Sequence, residues 1–196
     1  MIITRTLLIN STSRADRFIG ATRDTNANEV AYDVHSVGEL KSLLAALVRD
    51  RTTFDAAVFS THGNSGVIAF DGDRLPWWKI YEVFFNDQLD YSRLFPRGNG
   101  RILFGGCNVA EGDFGWKFLL AAARSFLEYG GEAIGWTSKG FQAPFGLQDG
   151  HIIHLWGDTR QVRKMSGNRF RFYENWNLLE SGGIPHDPAG VANAFR

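Results

Sequence analysis

The sequence predicts an α/β fold, three layers deep, in which a central and mainly parallel sheet is flanked by helices. Three observations carry this. Arg5 to Asn10 (RTLLIN), Phe54 to Ser60 (FDAAVFS), Arg101 to Phe104 (RILF) and Glu132 to Trp136 (EAIGW) are short, largely apolar runs bounded by turn-prone residues, as strands buried on both faces are. Between them stand Val37 to Val48 and Gly115 to Tyr129, whose apolar residues recur at helical spacing. The 196 residues, 44% hydrophobic and 14% aromatic, suffice for one globular domain, placed at 1–180, followed by a Gly-, Pro- and Ala-rich tail over 181–196 that is expected to be loosely ordered.

In chain order, the first run closes on Asn10-Ser11-Thr12-Ser13, and Glu29 to Val34 alternates as a second strand. Ser36 then opens the first helix: it stands three residues before Glu39 in the arrangement of a capping box, ahead of Leu40, Leu43, Leu44 and Leu47. Phe54 to Ser60 empties into a loop, Thr61-His62-Gly63-Asn64-Ser65-Gly66. Val67 to Phe70 and the turn Asp71-Gly72-Asp73 make a small hairpin, and Trp77 to Phe85 a helix begun near Pro76, with Trp77 and Trp78 used in helix packing. Arg101 to Phe104 ends at Gly105-Gly106-Cys107, and the helix over Gly115 to Tyr129 stops at Gly130-Gly131. Beyond the strand Glu132 to Trp136, Lys139 to Gly150 is glycine-rich and reads as a pocket wall or lid, while Ile152 to Trp156 and Arg169 to Tyr173 are expected to form a late hairpin.

With 21 basic against 21 acidic side chains, the chain has no global attraction for nucleic acid or an anionic membrane. One cysteine excludes an internal disulfide. The apolar run Phe118 to Ala123 falls far short of the roughly 20 residues that span a bilayer, and Thr4, Arg5 and Thr6 interrupt Met1 to Ile9 before a signal peptide can form. These features imply a cytoplasmic protein with a reduced thiol and neither nucleic-acid nor membrane partners.

In an open α/β sheet, reacting groups gather where loops leave the carboxyl ends of the strands. His62 and Cys107 both stand there, each within three residues of a buried strand and each beside glycine. A lone cysteine is ordinarily a small buried apolar residue and a lone histidine a loop residue; placed together at the ends of neighbouring strands, they support nucleophilic catalysis. The imidazole takes the thiol proton, and the thiolate attacks an acyl carbon. The N–H groups of Gly63 and Cys107 then receive the oxyanion, and a helix starting after Cys107 lends its dipole to the thiolate.

AAVFSTHGNSGVIAF (56–70) followed by RILFGGCNVAEG (101–112) resembles the caspase-like cysteine peptidases of clan CD, which include caspases, metacaspases, gingipains, clostripain, separase and the bacterial CHAT-type domains. Those families share a strand ending in His-Gly and a next core strand ending in the catalytic cysteine, here His62-Gly63 and Cys107, and the CHAT-like branch is the most similar. The similarity runs over roughly residues 54 to 138. It implies a caspase-like fold, Cys107 as nucleophile, His62 as general base, no metal or organic cofactor, a protein or peptide substrate, and room for a regulatory partner. The strand after the catalytic helix helps to build the substrate pocket in this clan, so Gly106, Thr137 and Ser138 are the substrate-contacting candidates. Gly105-Gly106-Cys107-Asn108-Val109 departs from the caspase Gln-Ala-Cys-x-Gly, and aspartate specificity therefore does not carry over. The alternatives are a silent caspase-like module that recognises a partner, and a cysteine-dependent acyltransferase or amide hydrolase using the same dyad.

Other constellations are weaker. A tyrosine-phosphatase loop needs arginine six residues past the cysteine, where Asp113 stands, and Val109 breaks the second glycine of an amidotransferase elbow. His151 and His154 lack a third metal ligand nearby, and on a strand they point to opposite faces. Asp71-Gly72-Asp73 is followed by Leu75 and Trp77 where a calcium loop needs oxygens. Arg160, Arg163, Lys164, Arg169 and Arg171 read as a solvated hairpin face.

Overall fold

The computed structural model describes residues 5–11, 28–138, 158–175 and 177–179, together with the backbone of 141–142, 147–148, 151–152 and 155–156. The chain runs β1 (Thr6–Ser11), β2 (Glu29–Val34), α1 (Val37–Arg49), β3 (Ala56–Ser60), β4 (His62–Asn64), β5 (Val67–Ala69), β6 (Arg74–Pro76), α2 (Trp77–Ile80) with a π-helical continuation over Tyr81–Phe85, a 3-10 turn (Tyr91–Leu94), β7 (Gly100–Phe104), α3 (Gly112–Phe126) and β8 (Gly131–Trp136). Four two-residue strands follow, β9 (Phe141–Gln142), β10 (Leu147–Gln148), β11 (His151–Ile152) and β12 (Leu155–Trp156), and then β13 (Thr159–Lys164), β14 (Phe170–Glu174) and β15 (Asn177–Leu178).

The fold is mixed α/β around an eight-stranded sheet in the order β15-β14-β13-β8-β7-β3-β1-β2. The five strands from β2 to β8 are parallel, and β13, β14 and β15 extend the sheet in antiparallel fashion. The connections β2 to β3, β3 to β7 and β7 to β8 all step in one direction across the sheet, so right-handed crossovers bring their helices to one face. Burial follows this geometry. Leu7, Ile9, Ala57, Phe59, Ile102, Phe104 and Ala133 join residues of α1, α2 and α3 in the main core, while the alternate residues Leu8, Val58, Leu103 and Ile134 form a smaller cluster on the opposite face. All the described helices contribute to the first cluster; a third layer is not among the described residues.

Ser36 caps α1 by accepting from the Glu39 amide at 3.2 Å, but the Glu39 carboxylate returns to the His35 N–H at 2.9 Å instead of to Ser36. The expected late hairpin is corrected. Arg169 to Tyr173 corresponds to β14, which pairs with β13 and not with Ile152 to Trp156; Ile152 belongs to β11, paired with β10, and Leu155-Trp156 form β12, paired with β9. The solvated basic face holds for Arg163, Arg169 and Arg171, which are exposed, and is corrected for the other two: Lys164 is buried with Nζ on the Gly167 carbonyl, and Arg160 is largely covered. Trp77 packs against the core as expected, whereas Trp78 is half exposed. The tail 181–196 and most of the Lys139 to Gly150 segment lie outside the described residues. No helix among the described residues is long and apolar enough to cross a membrane.

The Asp71-Gly72-Asp73 turn clamps the β4-β5-β6 sheet to the start of α1. Asp73 accepts from the Val37 N–H at 2.9 Å and from Arg74 N–H at 2.8 Å, and Asp71 meets His35 Nδ1 at 3.0 Å. The Val37 bond, with lesser help from Arg74 and Lys79, holds the Asp73 carboxyl below its ordinary range, and the Asp71 bond raises the exposed His35 imidazole. The two signs are opposite. Asp73 stabilises the fold above the unfolded carboxylate value of about 4 and loses this as pH falls through its depressed value; His35 stabilises below about 6.5 and loses this as pH rises through its raised one. Urea melts across pH are expected to show that Asp73→Asn costs about 0.5 to 1 kcal/mol near pH 6, a modest figure because the carboxylate is partly solvated, and that the cost shrinks at pH 3. An unchanged acid limb in the variant would remove the clamp from the account of stability.

Candidate active site

β3 and β7 are adjacent and parallel, with Phe59 opposite Phe104. Their rings stack at 5.0 Å, and Phe104 meets Phe118 of α3 edge-on at 4.8 Å, which fixes both strand ends against the helix layer. The pairing runs one step further, since the Gly105 amide donates to the Phe59 carbonyl at 2.8 Å. His62 and Cys107 each stand three residues past this matched pair and so leave the sheet at the same level of the same crevice. His62 is exposed, Gly63 and Cys107 are half-buried, and Gly106 is buried.

Contact between the two segments is through backbone. A Cβ on Gly106 would stand 2.8 Å from the Cα and N of Gly63 and 2.9 Å from the His62 carbonyl oxygen, and a Cβ on Gly63 would stand 2.8 Å from the Cys107 oxygen. Glycine at both positions lets the histidine strand and the cysteine turn touch main chain to main chain.

His62 does not lie in an open loop, as the sequence suggested, but begins β4, which pairs with β5 through His62–Ala69 and Gly63–Ile68, while β5 pairs with β6. The three-stranded sheet ends in the turn Ser65-Gly66, and that turn is strapped to the cysteine segment: Gly66 N–H donates to the Val109 carbonyl at 3.0 Å and Ser65 Oγ to the Glu111 carbonyl at 2.6 Å.

Cys107 opens a tight turn instead of leading directly into a helix. α3 begins only at Gly112, with Asn108 held at φ 58°, a conformation asparagine tolerates. The helix dipole acts over its first turn, and four residues, Asn108 to Glu111, separate Cys107 from that start. Val109 and Ala110 are fully buried, and Gly135 of β8 makes room for them, because a Cβ there would be 2.7 Å from the Val109 side chain. The alternation of Cys107-Asn108 at the rim with Val109-Ala110 in the core thus orients the turn.

The end of β8 closes the other side of the crevice. Ala110 N–H donates to the Trp136 carbonyl at 2.7 Å and Asn108 N–H to the Ser138 carbonyl at 3.0 Å, while Thr137 N–H donates to Asp158 at 2.9 Å. Thr137 and Ser138 are therefore beside the cysteine turn and half-buried, with part of their main chain engaged in structural bonds. Three residues that build this arrangement, Ser65, Gly66 and Arg160, were named in the sequence only as loop and hairpin residues and not as parts of the site. Arg160 carried a signal in the Ser166-Gly167-Asn168 turn, which marks Thr159 to Lys164 as the partner of Phe170 to Glu174.

A cleft of about 270 Å³ lined by Phe84, Asp87, Tyr91, Arg124, Ser125 and neighbours contains none of these residues. No cluster of three or more His, Cys, Asp or Glu side chains suited to a metal ion occurs among the described residues. No protein-family model matches the chain, and a comparison with curated proteins finds no match.

Proposed function

We propose that the chain is a cysteine endopeptidase of the caspase-like type, three-layered as that fold is, acting on a protein or peptide substrate. One observation supports this above the others: His62 and Cys107 leave neighbouring parallel strands at the same level, with Gly63 and Gly106 in backbone contact between them. In this reading His62 takes the Cys107 proton, and the thiolate adds to the scissile carbonyl. The Gly63 and Cys107 amides receive the oxyanion. Collapse of the tetrahedral species breaks the C–N bond as His62 returns the proton to the leaving amine; water, deprotonated by His62, then releases the acyl group from sulfur. Gly106 and the side chains of Thr137 and Ser138 line the substrate path, and Lys139 to Gly150 is the candidate lid. The chemistry needs a reduced thiol, which a cytoplasmic setting supplies.

A peptidyl electrophile is expected to label Cys107 and no other residue, with the labelling rate reduced on the order of tenfold to a hundredfold in His62→Ala. Equal rates in the two proteins would mark Cys107 as an ordinary accessible thiol and sink the dyad. Labelling without turnover of any fluorogenic peptide in a library would favour a silent partner-binding module or an acyltransferase.

A further inference from the structure

We infer that Arg160, a strand residue on the far side of β8 from β7, is a positioning residue for the Cys107 turn. Four consecutive carbonyls, those of Val109, Ala110, Glu111 and Gly112, follow the cysteine, and each accepts a hydrogen bond from a donor in another element. Val109 is served by Gly66 N–H and Glu111 by Ser65 Oγ, both from the histidine sheet. The other two are served by one side chain. Arg160 Nη1 lies 3.1 Å from the Ala110 oxygen and 2.9 Å from the Gly112 oxygen, and its two hydrogens suffice for both.

The guanidinium is itself held. Its Nε donates to Glu174 Oε1 at 2.9 Å, its plane lies over the Trp116 ring at 4.7 Å, and its strand is paired to β8 with Arg160 opposite Gly135. A planar fork with one edge anchored on a carboxylate and a face on indole presents its remaining edge in a fixed direction. The turn is thereby gripped from two sides, by Ser65-Gly66 on the His62 flank and by Arg160 on the β8 flank. Because Ala110 is buried against Gly135, a shift of its carbonyl cannot be absorbed locally and passes back through Val109 and Asn108 to Cys107. Arg160 touches neither reacting atom; it sets where the sulfur sits.

Hydrogen exchange and peptide turnover on the intact chain test this with Arg160→Gln, Arg160→Lys and Glu174→Gln. Amides of 108–115 are expected to exchange about tenfold faster in Arg160→Gln, while those of β3 and of 118–126 keep their wild-type rates. Arg160→Lys, which retains a charged donor between the two carbonyls, is expected to restore part of the protection, and Glu174→Gln to change it least. In kinetics, Arg160→Gln is expected to lower kcat about tenfold with KM within about twofold, since the nucleophile and not the substrate path is displaced. Only this kinetic comparison rests on the peptidase reading: a wild type that neither labels nor turns over peptide sinks that reading, and exchange alone then decides on Arg160. Unchanged exchange over 108–115, or faster exchange that rises equally in β3 and in 118–126, overturns the positioning role.

Discussion

Replacing Gly106 by alanine is expected to suppress His62-dependent labelling of Cys107 about a hundredfold or more and to destabilise the fold by about 1 to 3 kcal/mol. Neither Gly106 nor Gly63 has left-handed backbone, so alanine is conformationally acceptable at both; space is what excludes it. The new methyl carbon at 106 would stand 2.8 Å from two backbone atoms of Gly63 and 2.9 Å from the His62 oxygen. No side chain is available to swing aside. The histidine strand and the cysteine turn must separate by roughly half an ångström or more to reach ordinary contact, and misplacement on the scale of 1 Å is enough to cost about a hundredfold in rate. Gly63→Ala acts at the same contact from the other side, against the Cys107 oxygen and Gly106. The double variant is therefore expected to lose much less than the sum of the two single losses, because the first methyl already parts the segments. Labelling rates and urea melts of the three variants measure this. Either single variant labelling within about threefold of wild type would show that main-chain contact does not set the dyad geometry.

The elements legible in the sequence were those with one physical signal each. β1, β3, β7 and β8 are apolar runs buried on both faces, and their observed ends lie within two residues of the expected ones. α1 combines a leucine stripe with a serine cap, and its end at Arg49 lies one residue past the expected one. The adjacency of β3 and β7, which brings the histidine and cysteine segments together, follows from consecutive core strands of a parallel sheet usually being neighbours. β4 was not legible because three residues, His62-Gly63-Asn64, have no periodicity, and their pairing is set by β5. β13 was hidden by its charges. In TRQVRK one face carries Arg160, Val162 and the buried Lys164, whose ammonium lies by Phe170 and backbone carbonyls, and the other carries the buried polar Thr159 and Gln161, so no apolar alternation marks the strand. The cysteine turn is the most instructive case: the helix expected from Gly115 starts three residues earlier, at Gly112, and the conformation of the turn between Cys107 and that start is tertiary, with Gly135, Trp136, Ser65 and Arg160 each holding a part of it.

Two glycine-to-alanine changes in helices should shift stability in opposite directions. In isolation, alanine is favoured over glycine within a helix by about 0.5 to 1 kcal/mol. Gly38, near the start of α1, is exposed, and the nearest neighbour a Cβ would meet is Ser36 Oγ at 3.8 Å. Gly38→Ala is therefore expected to stabilise by most of that amount. Gly115, in the first turn of α3, is buried, and a Cβ there would lie 2.0 Å from the Ala110 carbonyl carbon and 2.3 Å from its oxygen. Its helix preference is no smaller, but the overlap is with the main chain of the cysteine turn, already pinned by Trp136, so relief requires α3 to slide from the turn and loosen the Phe118 packing behind it. Overpacking of that severity outweighs the preference. Gly115→Ala is expected to be less stable by about 3 kcal/mol, a fall of roughly 6 to 12 °C in Tm for a chain of this size. Because Ala110 is three residues from Cys107, the same variant should lose dyad-dependent labelling at temperatures where it is still folded, whereas Gly38→Ala should label at the wild-type rate. Thermal melts paired with labelling at 15 °C separate the two effects. A Gly115→Ala protein as stable as wild type would mean that the turn and α3 are not in the tight backbone contact that orients Cys107.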